Sequence, residues 1–165
     1  MSQLLIKQKV FSWTDTYDVY DQSGNPKYYV KADFFSIGHR IRVYDKASGR
    51  EIGLIQEKIL RLFKEFEITI NGFSQGIIKK QFSFFRPKYN IDYKGWRLEG
   101  DWLQWNYDIY EGSGLVVHIS KQLFKWGDTY VIDIINDMDE VPALMIAIAM
   151  DAAKCSEDES RNSMM

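Results

Sequence analysis

Residue types that could carry chemistry are sparse in this chain of 165 residues. Its two histidines, His39 in S-I-G-H-R and His118 in V-V-H-I-S, lie far apart, and neither has a partner at a metal-ligand spacing. The single cysteine, Cys155, has no histidine close in sequence that could activate it as a nucleophile. The stretch N-D-M-D-E at 136–140 lacks the glycine and the terminal glutamate of a calcium loop, which favours a turn followed by a helix start. With no phosphate-binding or nucleophile-elbow motif, the sequence predicts no enzyme, no metal and no cofactor.

One stretch combines basic and aromatic residues in a way that suits an anionic ligand. Basic residues beside exposed aromatic rings can bind a membrane surface or single-stranded nucleic acid. The net charge of −2 gives no electrostatic reason to expect nucleic acid. The alternative is a strand whose basic side chains simply face water. The stretch contains four basic residues, Lys79, Lys80, Arg86 and Lys88, with Phe82, Phe84 and Phe85 between them.

Composition and the N-terminal residues bear on the location of the protein. Apolar residues make up 45% of the chain, which is enough for a sizeable core, and one cysteine cannot form an internal disulfide. Residues 1–10, M-S-Q-L-L-I-K-Q-K-V, lack the long apolar stretch and the cleavage site of a signal peptide. We therefore expect a cytoplasmic protein without a transmembrane span, in which any membrane contact is peripheral.

The elements that must position these residues are organised by a repeat. W-T-D-T-Y at 13–17 recurs as W-G-D-T-Y at 126–130. Only these outer copies carry an aspartate before the aromatic residue, so the repeat predicts a structural bend with a buried aromatic residue rather than a pair of functional sites. Extended without gaps, the repeat has four copies that begin with isoleucine and end with isoleucine or valine, at 6–19, 55–68, 78–91 and 119–132.

Alternating residues and turn signals predict a sheet of antiparallel hairpins. Phe66, Ile68 and Ile70 alternate with polar residues, which is the period of a strand with one buried face. Five hairpins and a final strand from Tyr130 give at least eleven strands, and an early run makes twelve. Repetition favours a closed barrel, which leaves no edge for another chain to extend. The turn signals lie at 21–26, 45–49, 71–72, 94–95 and 111–114, and four polar residues fall on the inward face, at a bulge or a strand end: Gln8, Glu57, Lys80 and Lys121.

The segment 141–153, V-P-A-L-M-I-A-I-A-M-D-A-A, departs from this alternation and predicts a helix that is apolar on all sides. As a helix it spans about 20 Å, which is too short for a hydrocarbon core of about 30 Å. A barrel wider than eight strands cannot fill itself with strand side chains, so we expect this helix to occupy its centre. The sequence thus predicts one domain at 1–153 and a disordered polar tail at 154–165.

Together these features resemble the LURP-one-related family, particularly its bacterial members. The matching stretches are I-K-Q-K-V-F-S-W, Y-D-V-Y-D-Q-S-G, I-S-K-Q-L-F-K-W-G-D-T-Y and A-L-M-I-A-I-A-M-D, within residues 1–153. The resemblance implies the tubby C-terminal-like fold, a twelve-stranded barrel around a C-terminal helix, which phospholipid scramblases are thought to share. It implies no catalytic residues. Tubby domains bind membrane phosphoinositides through basic residues, but those positions do not map onto this chain.

We therefore expect a non-enzymatic binding module that associates with anionic phospholipid. The alternative is a protein–protein interaction or regulatory scaffold module, for which the lack of any site motif is the motivation. An enzyme with an unrecognised site is the third hypothesis, and a deep polar pocket with convergent carboxylates would favour it.

Overall fold

A computed structural model describes residues 1–7, 16–33, 39–58, 64–81, 88–124 and 127–163, without the side chains at 156–161 and 163. It contains twelve strands, two short 3₁₀ helices and one α-helix. The strands are β1 (Ser2–Lys7), β2 (Thr16–Asp21), β3 (Pro26–Asp33), β4 (Arg40–Asp45), β5 (Glu51–Lys58), β6 (Glu65–Ile70), β7 (Phe73–Gln81), β8 (Lys88–Asp92), β9 (Trp96–Asp101), β10 (Asn106–Glu111), β11 (Gly114–Phe124) and β12 (Gly127–Ile134). The 3₁₀ helices are Trp102–Gln104 and Asp137–Asp139, and α1 is Glu140–Ser163.

The strands form one antiparallel sheet that curls into a nearly closed barrel. Its order is β8-β7-β6-β5-β4-β3-β2-β1-β12-β11-β10-β9. The predicted turns join the strands at one end, which we call the hairpin end, and the other connections lie at the opposite, connection end. At the predicted Asn-Gly turn, Asn71 and Gly72 have φ values of 50° and 81°, as a two-residue hairpin turn requires. The predicted barrel of about twelve strands is therefore confirmed.

The sequence repeat has a direct structural explanation. The first and last residues of each copy are cross-strand partners: Ile6 with Val19, Ile55 with Ile68, Ile78 with Ile91, and Ile119 with Ile132. All eight side chains are buried in the core. Each copy is thus two strands with the connection between them, and its constant length keeps this apolar pair in register. Asp128 of the last copy pairs with Lys121 at 2.5 Å, whereas Asp15 of the first lies outside the described residues.

The helix α1 runs through the centre of the barrel, as predicted. Leu144, Met145, Ile146, Ile148 and Met150 are at most 2% exposed, and the intervening alanines are also buried. The end of the helix differs from the prediction. Helical backbone continues to Ser163, so residues 154–163 do not form the predicted disordered tail. Lys, Glu, Ser and Arg are adequate helix formers, and a helix already nucleated in the core extends through them at little cost.

A group of polar side chains holds the start of α1 at the hairpin end. Glu140 accepts a 2.5 Å hydrogen bond from the Tyr28 hydroxyl and pairs with Lys27 at 2.6 Å. Burial raises the pKa of Glu140, but bonds from Lys27 and Tyr28 outweigh burial and hold this pKa below its usual value. Beside them Lys94 pairs with Asp139 at 3.1 Å. The predicted turn and helix start at 136–140 are confirmed.

The polar residues predicted on the inward face lie where the strands leave the lumen. Glu57 is the penultimate residue of β5. Its carboxylate accepts hydrogen bonds from the ring and the backbone N–H of His39 and lies 3.6 Å from the Lys64 ammonium group. Lys80 is the penultimate residue of β7. Lys121 lies in the exposed C-terminal part of β11. Strand ends, rather than bulges, therefore accommodate these three side chains. The fourth, Gln8, lies outside the described residues.

Candidate functional site: the open seam between β8 and β9

The described strands leave one seam in the barrel. β8 and β9 are joined by residues 93–95, which include the predicted turn at 94–95, yet β8 pairs only with β7 and β9 only with β10 among the described strands. A 2.8 Å bond from the Trp96 N–H to the Tyr93 carbonyl closes the turn itself. The predicted turn at 94–95 therefore forms, but the predicted hairpin is wrong in its pairing, because β8 and β9 share no ladder in the described part of the sheet.

Aromatic side chains, rather than a backbone ladder, bridge this seam. Tyr89 meets Trp102 edge to face, with ring centroids 5.2 Å apart. Nearer the turn, Tyr93 meets Trp96 in the same way at 4.9 Å. Trp96 and Trp102 are both buried in the core. The rings thus pack across the seam, where the described β8 and β9 share no backbone ladder.

At the connection end the seam opens into a cleft of about 380 Å³. The polar side chains in its lining are those of Gln81, Lys88 and Asp101, so one basic and one acidic group both face the cleft, while Tyr89, Leu98, Trp102 and Leu103 contribute aromatic and apolar surface. Gly100 lies in the wall with a φ of 113°, and a Cβ there would stand 2.7 Å from the Asn106 carbonyl oxygen, so only glycine fits. The cleft therefore joins a charged rim to an apolar wall, and the volume is within the range of ligand sites.

The structure separates the predicted basic residues. Lys79 and Lys88 lie on the outer face of the sheet as diagonal neighbours, because Lys79 is opposite Asn90 and Lys88 is two residues earlier on β8. Lys79 also pairs with Glu65 at 2.9 Å. Lys80 faces the other side of the sheet, where its cross-strand partner is Tyr89. Arg86, with Phe82, Phe84 and Phe85, lies outside the described residues.

Charge is distributed unevenly between the two ends of the barrel. At the hairpin end, the strand termini carry mostly carboxylates: Asp21, Asp45, Glu51, Asp92, Glu111 and Asp133 stand against Lys27 and Arg97. At the connection end, basic and acidic termini are balanced, and Lys88 there lines the cleft. An anion would therefore approach the connection end more favourably.

The other residues considered for chemistry have structural partners. The Nδ1 atom of His39 bonds to Glu57, and that of His118 lies 2.6 Å from Asp108 on the neighbouring strand. Within the described parts of the chain, no group of three or more His, Cys, Asp and Glu side chains could hold a metal ion. Cys155 is partly buried against the core in α1, rather than in the predicted disordered tail.

Sequence reasoning did not anticipate a carboxylate inside the barrel. Asp151 is 3% exposed and is therefore buried in the barrel with the apolar residues of α1 that precede it. Burial, with a contribution from the charge of Asp151, raises the pKa of Tyr107. The sequence signal for this buried carboxylate was the single acidic residue that interrupts the apolar run of 141–153. The seam was also missed; its one sequence signal was the W-L-Q-W stretch at 102–105, which departs from strand alternation.

Comparisons with known proteins agree with this architecture. A twelve-stranded antiparallel barrel with a helix through its centre is the class of protein that the structure defines. The family model described as LURP-one-related matches residues 2–151, and the chain belongs to this family.

Two individual proteins resemble the chain over nearly its whole length. The uncharacterized protein YxjI of Bacillus subtilis (strain 168) is 31% identical over 161 residues, covering 97% of this chain and 99% of YxjI. The X-ray structure of the Arabidopsis thaliana protein AT5G01750 aligns with a TM-score of 0.59 and 15% identity, over 91% of each chain. At that identity the second likeness supports the fold alone. In the described part of the chain, no helix has the length and apolar character that a membrane crossing requires.

Proposed function

We propose that this chain is a non-enzymatic binding module that associates peripherally with anionic phospholipid through the connection end of β7 and β8. The observation that carries the proposal is the position of Lys88, an exposed ammonium group at the rim of a cleft with the apolar wall Leu98, Trp102 and Leu103. A lipid headgroup presents a phosphate next to apolar glycerol and acyl carbons, which is the same pairing of chemistries. Lys79 adds a second positive charge on the same face.

The expected binding is weak and depends on salt. Each lysine near an anionic membrane surface contributes about 1 kcal/mol, and the contribution falls off within a Debye length. Because Lys79 already pairs with Glu65, the two lysines together should account for about a tenfold difference in affinity rather than more. The acidic hairpin end would face away from the membrane.

Vesicle co-sedimentation tests the proposal. The full chain should be recovered with vesicles of phosphatidylcholine mixed with phosphatidylglycerol at low salt, and much less with phosphatidylcholine alone. The double variant Lys79→Gln/Lys88→Gln should lose about tenfold in affinity. A matched control, Lys46→Gln/Arg50→Gln, removes the same charge from two exposed residues of the β4–β5 turn at the hairpin end. Equal recovery on both vesicle types, or an equal loss in the control, would refute the proposal.

A protein-interaction module is the second candidate, and the lack of a ladder between β8 and β9 in the described sheet favours it. Antiparallel edge strands are common sites for the addition of a strand from another chain. The two candidates differ in the groups they use, since lipid association depends on side-chain charge and strand addition depends on backbone hydrogen bonds.

A further inference from the structure

We propose that a cleft on the outer face of β3 and β4 binds a neutral oligosaccharide, whose sugar rings pack against Tyr29 and Tyr44. The cleft has a volume of about 470 Å³, which is within the range of ligand sites. It lies toward the hairpin end of the barrel, so the inference goes beyond the lipid association proposed for the connection end. The residues that line the cleft are Tyr29, Lys31, Tyr44, Asp45, Lys46 and Gly49.

Two tyrosine rings form the base of this cleft. Tyr29 and Tyr44 are direct cross-strand partners, with ring centroids 6.2 Å apart and ring planes inclined by 44°. Both rings are half-buried on the outer face, because the next residues toward the lumen, Val30 and Val43, are buried in the core. Rings that lie side by side at this angle form a bent surface rather than a slot for a flat aromatic ligand. Consecutive sugar rings can instead each pack the C–H groups of one face against one tyrosine.

Ammonium groups lie on both sides of the ring pair. Because the strands are antiparallel, Lys31, two residues after Tyr29, and Lys46, two residues after Tyr44, extend beyond opposite sides of it. The Lys46 ammonium donates a 2.8 Å hydrogen bond to Asp18 and lies 5.2 Å from the centre of the Tyr29 ring. These contacts hold the group in place, and the bond to Asp18 uses one of its three N–H donors. The ammonium group can therefore also donate to a sugar hydroxyl.

The charges at the cleft are balanced, which favours a ligand without net charge. Lys46 pairs with Asp18, and the Lys31 ammonium lies 3.9 Å from the Asp33 carboxylate. Asp45 adds a further carboxylate to the lining. An anionic ligand would have to compete with these carboxylates for the lysines. Sugar hydroxyls both donate and accept, so a neutral sugar can bond to ammonium and carboxylate groups alike.

The β4–β5 turn supplies one wall of the cleft and is bonded internally. The Asp45 carboxylate accepts hydrogen bonds from the Ser48 N–H at 2.8 Å and from the Ser48 hydroxyl at 2.6 Å. The Gly49 N–H donates to the Asp45 carbonyl at 2.8 Å. Gly49 has a φ of 68°, and a Cβ built there would meet nothing within 4 Å, so this wall is open backbone. A wall that is already ordered lowers the entropy cost of binding.

NMR titration of the full-length chain, isotope-labelled in its tyrosine rings, tests the proposal. The probes are the neutral oligosaccharides cellotetraose, maltotetraose and chitotetraose, with the anionic tetragalacturonic acid for comparison. We expect the ring signals of Tyr29 and Tyr44 to shift in a saturable way with at least one neutral probe, at a Kd of about 1 mM. Because that probe carries no charge, its Kd should change less than about twofold between low and high salt.

Variants separate the ring surface from the lysine. Tyr44→Ala should weaken binding by about tenfold, because it removes one of the two ring surfaces. The matched control Tyr110→Ala removes a half-buried tyrosine from the outer face of β10 and should leave the Kd unchanged. Lys46→Gln keeps both rings and should weaken binding by about fivefold through the loss of its ammonium donors. Thermal melts of each variant separate lost binding from lost folding.

Three results would overturn the proposal. They are the absence of a saturable shift with every neutral probe up to about 10 mM, binding of tetragalacturonic acid at least as tight as that of the best neutral probe, and equal losses in Tyr44→Ala and Tyr110→Ala. The titration contains no lipid, and vesicle recovery is measured without oligosaccharide, so either proposal can fail independently of the other.

Discussion

Gly53 of β5 lies directly against the side chain of Met145 in the central helix. A Cβ built on Gly53 would stand 2.6 Å from the Met145 Cε atom and overlap with its Sδ atom. Met145 is fully buried, so neighbouring side chains limit where its thioether could move. This contact between β5 and the central helix therefore depends on the absence of a side chain at Gly53.

Gly53→Ala should reduce the free energy of unfolding by about 1–3 kcal/mol, because the extra methyl group overpacks the core. Urea denaturation should show a lower midpoint with an unchanged slope. In a Met145→Ala background the same change should cost less, since the overlapping atoms are gone. Gly114→Ala is the control, because its Cβ would have only an ordinary contact at 3.5 Å, and equal losses at both glycines would contradict the packing explanation.

Glu140 should make stability depend on pH in the acid range. Its folded-state pKa is lowered, so the stabilisation is fully present above the unfolded value of about 4.3 and is lost as pH falls through the folded pKa. Glu140→Gln should be about 2 kcal/mol less stable at pH 7, and the difference should shrink below about pH 4. Thermal melts across this range measure it, with Glu111→Gln at an exposed position as control. A difference that does not change with pH would exclude this role of the carboxylate.

The two parts of α1 should contribute very differently to stability. A chain that stops before Val141 loses burial on the order of 10 kcal/mol and should be insoluble or unfolded. A chain that stops at Cys155 keeps all the helix residues that the described part of the structure buries and should still melt cooperatively. Circular dichroism of both variants is the measurement. Cooperative melting of the shorter chain would show that the barrel does not need its central helix.

The bridge between Tyr89 and Trp102 should be measurable as a coupling energy. A double-mutant cycle with Tyr89→Leu and Trp102→Leu should give about 0.5–1.5 kcal/mol, as expected for an edge-to-face pair. A control cycle that pairs Tyr89 with Tyr44 of β4, several strands away, should give a coupling energy near zero. If the two couplings are equal, the rings do not hold the seam together.

The fold was predictable because its main signals are local and repeated. The isoleucine or valine residues at the two ends of each repeat copy are cross-strand partners. The constant spacing between them therefore sets the strand register in all four copies. The apolar run of 141–153 has no polar face, which leaves burial in the lumen as its stable position. The end of the helix was not predictable in this way, because the polar residues after Ala153 are compatible with helix and with coil alike.

The seam was not predictable because it depends on contacts across the barrel. The Lys94-Gly95 turn forms as predicted, with positive φ at both residues, but a turn does not ensure that its flanking strands pair. Pairing here competes with the packing of Trp96 against Tyr93 of the turn and of Trp102 against Tyr89 of β8. Likewise, the alternation of side chains along a strand places Lys79 and Lys80 on opposite faces of the sheet, although they are adjacent basic residues in the sequence.

The pairing of β1 with β12, from Ser2 with Ile134 to Lys7 with Thr129, has a consequence for biosynthesis. During synthesis β1 cannot obtain one of its two neighbours until more than a hundred further residues have been translated, and the central helix follows later still. Until then the lumen-facing isoleucines of the nascent sheet have no helix to cover them. Final assembly must therefore wait for late translation, and the growing polypeptide is a natural client for chaperones in that interval.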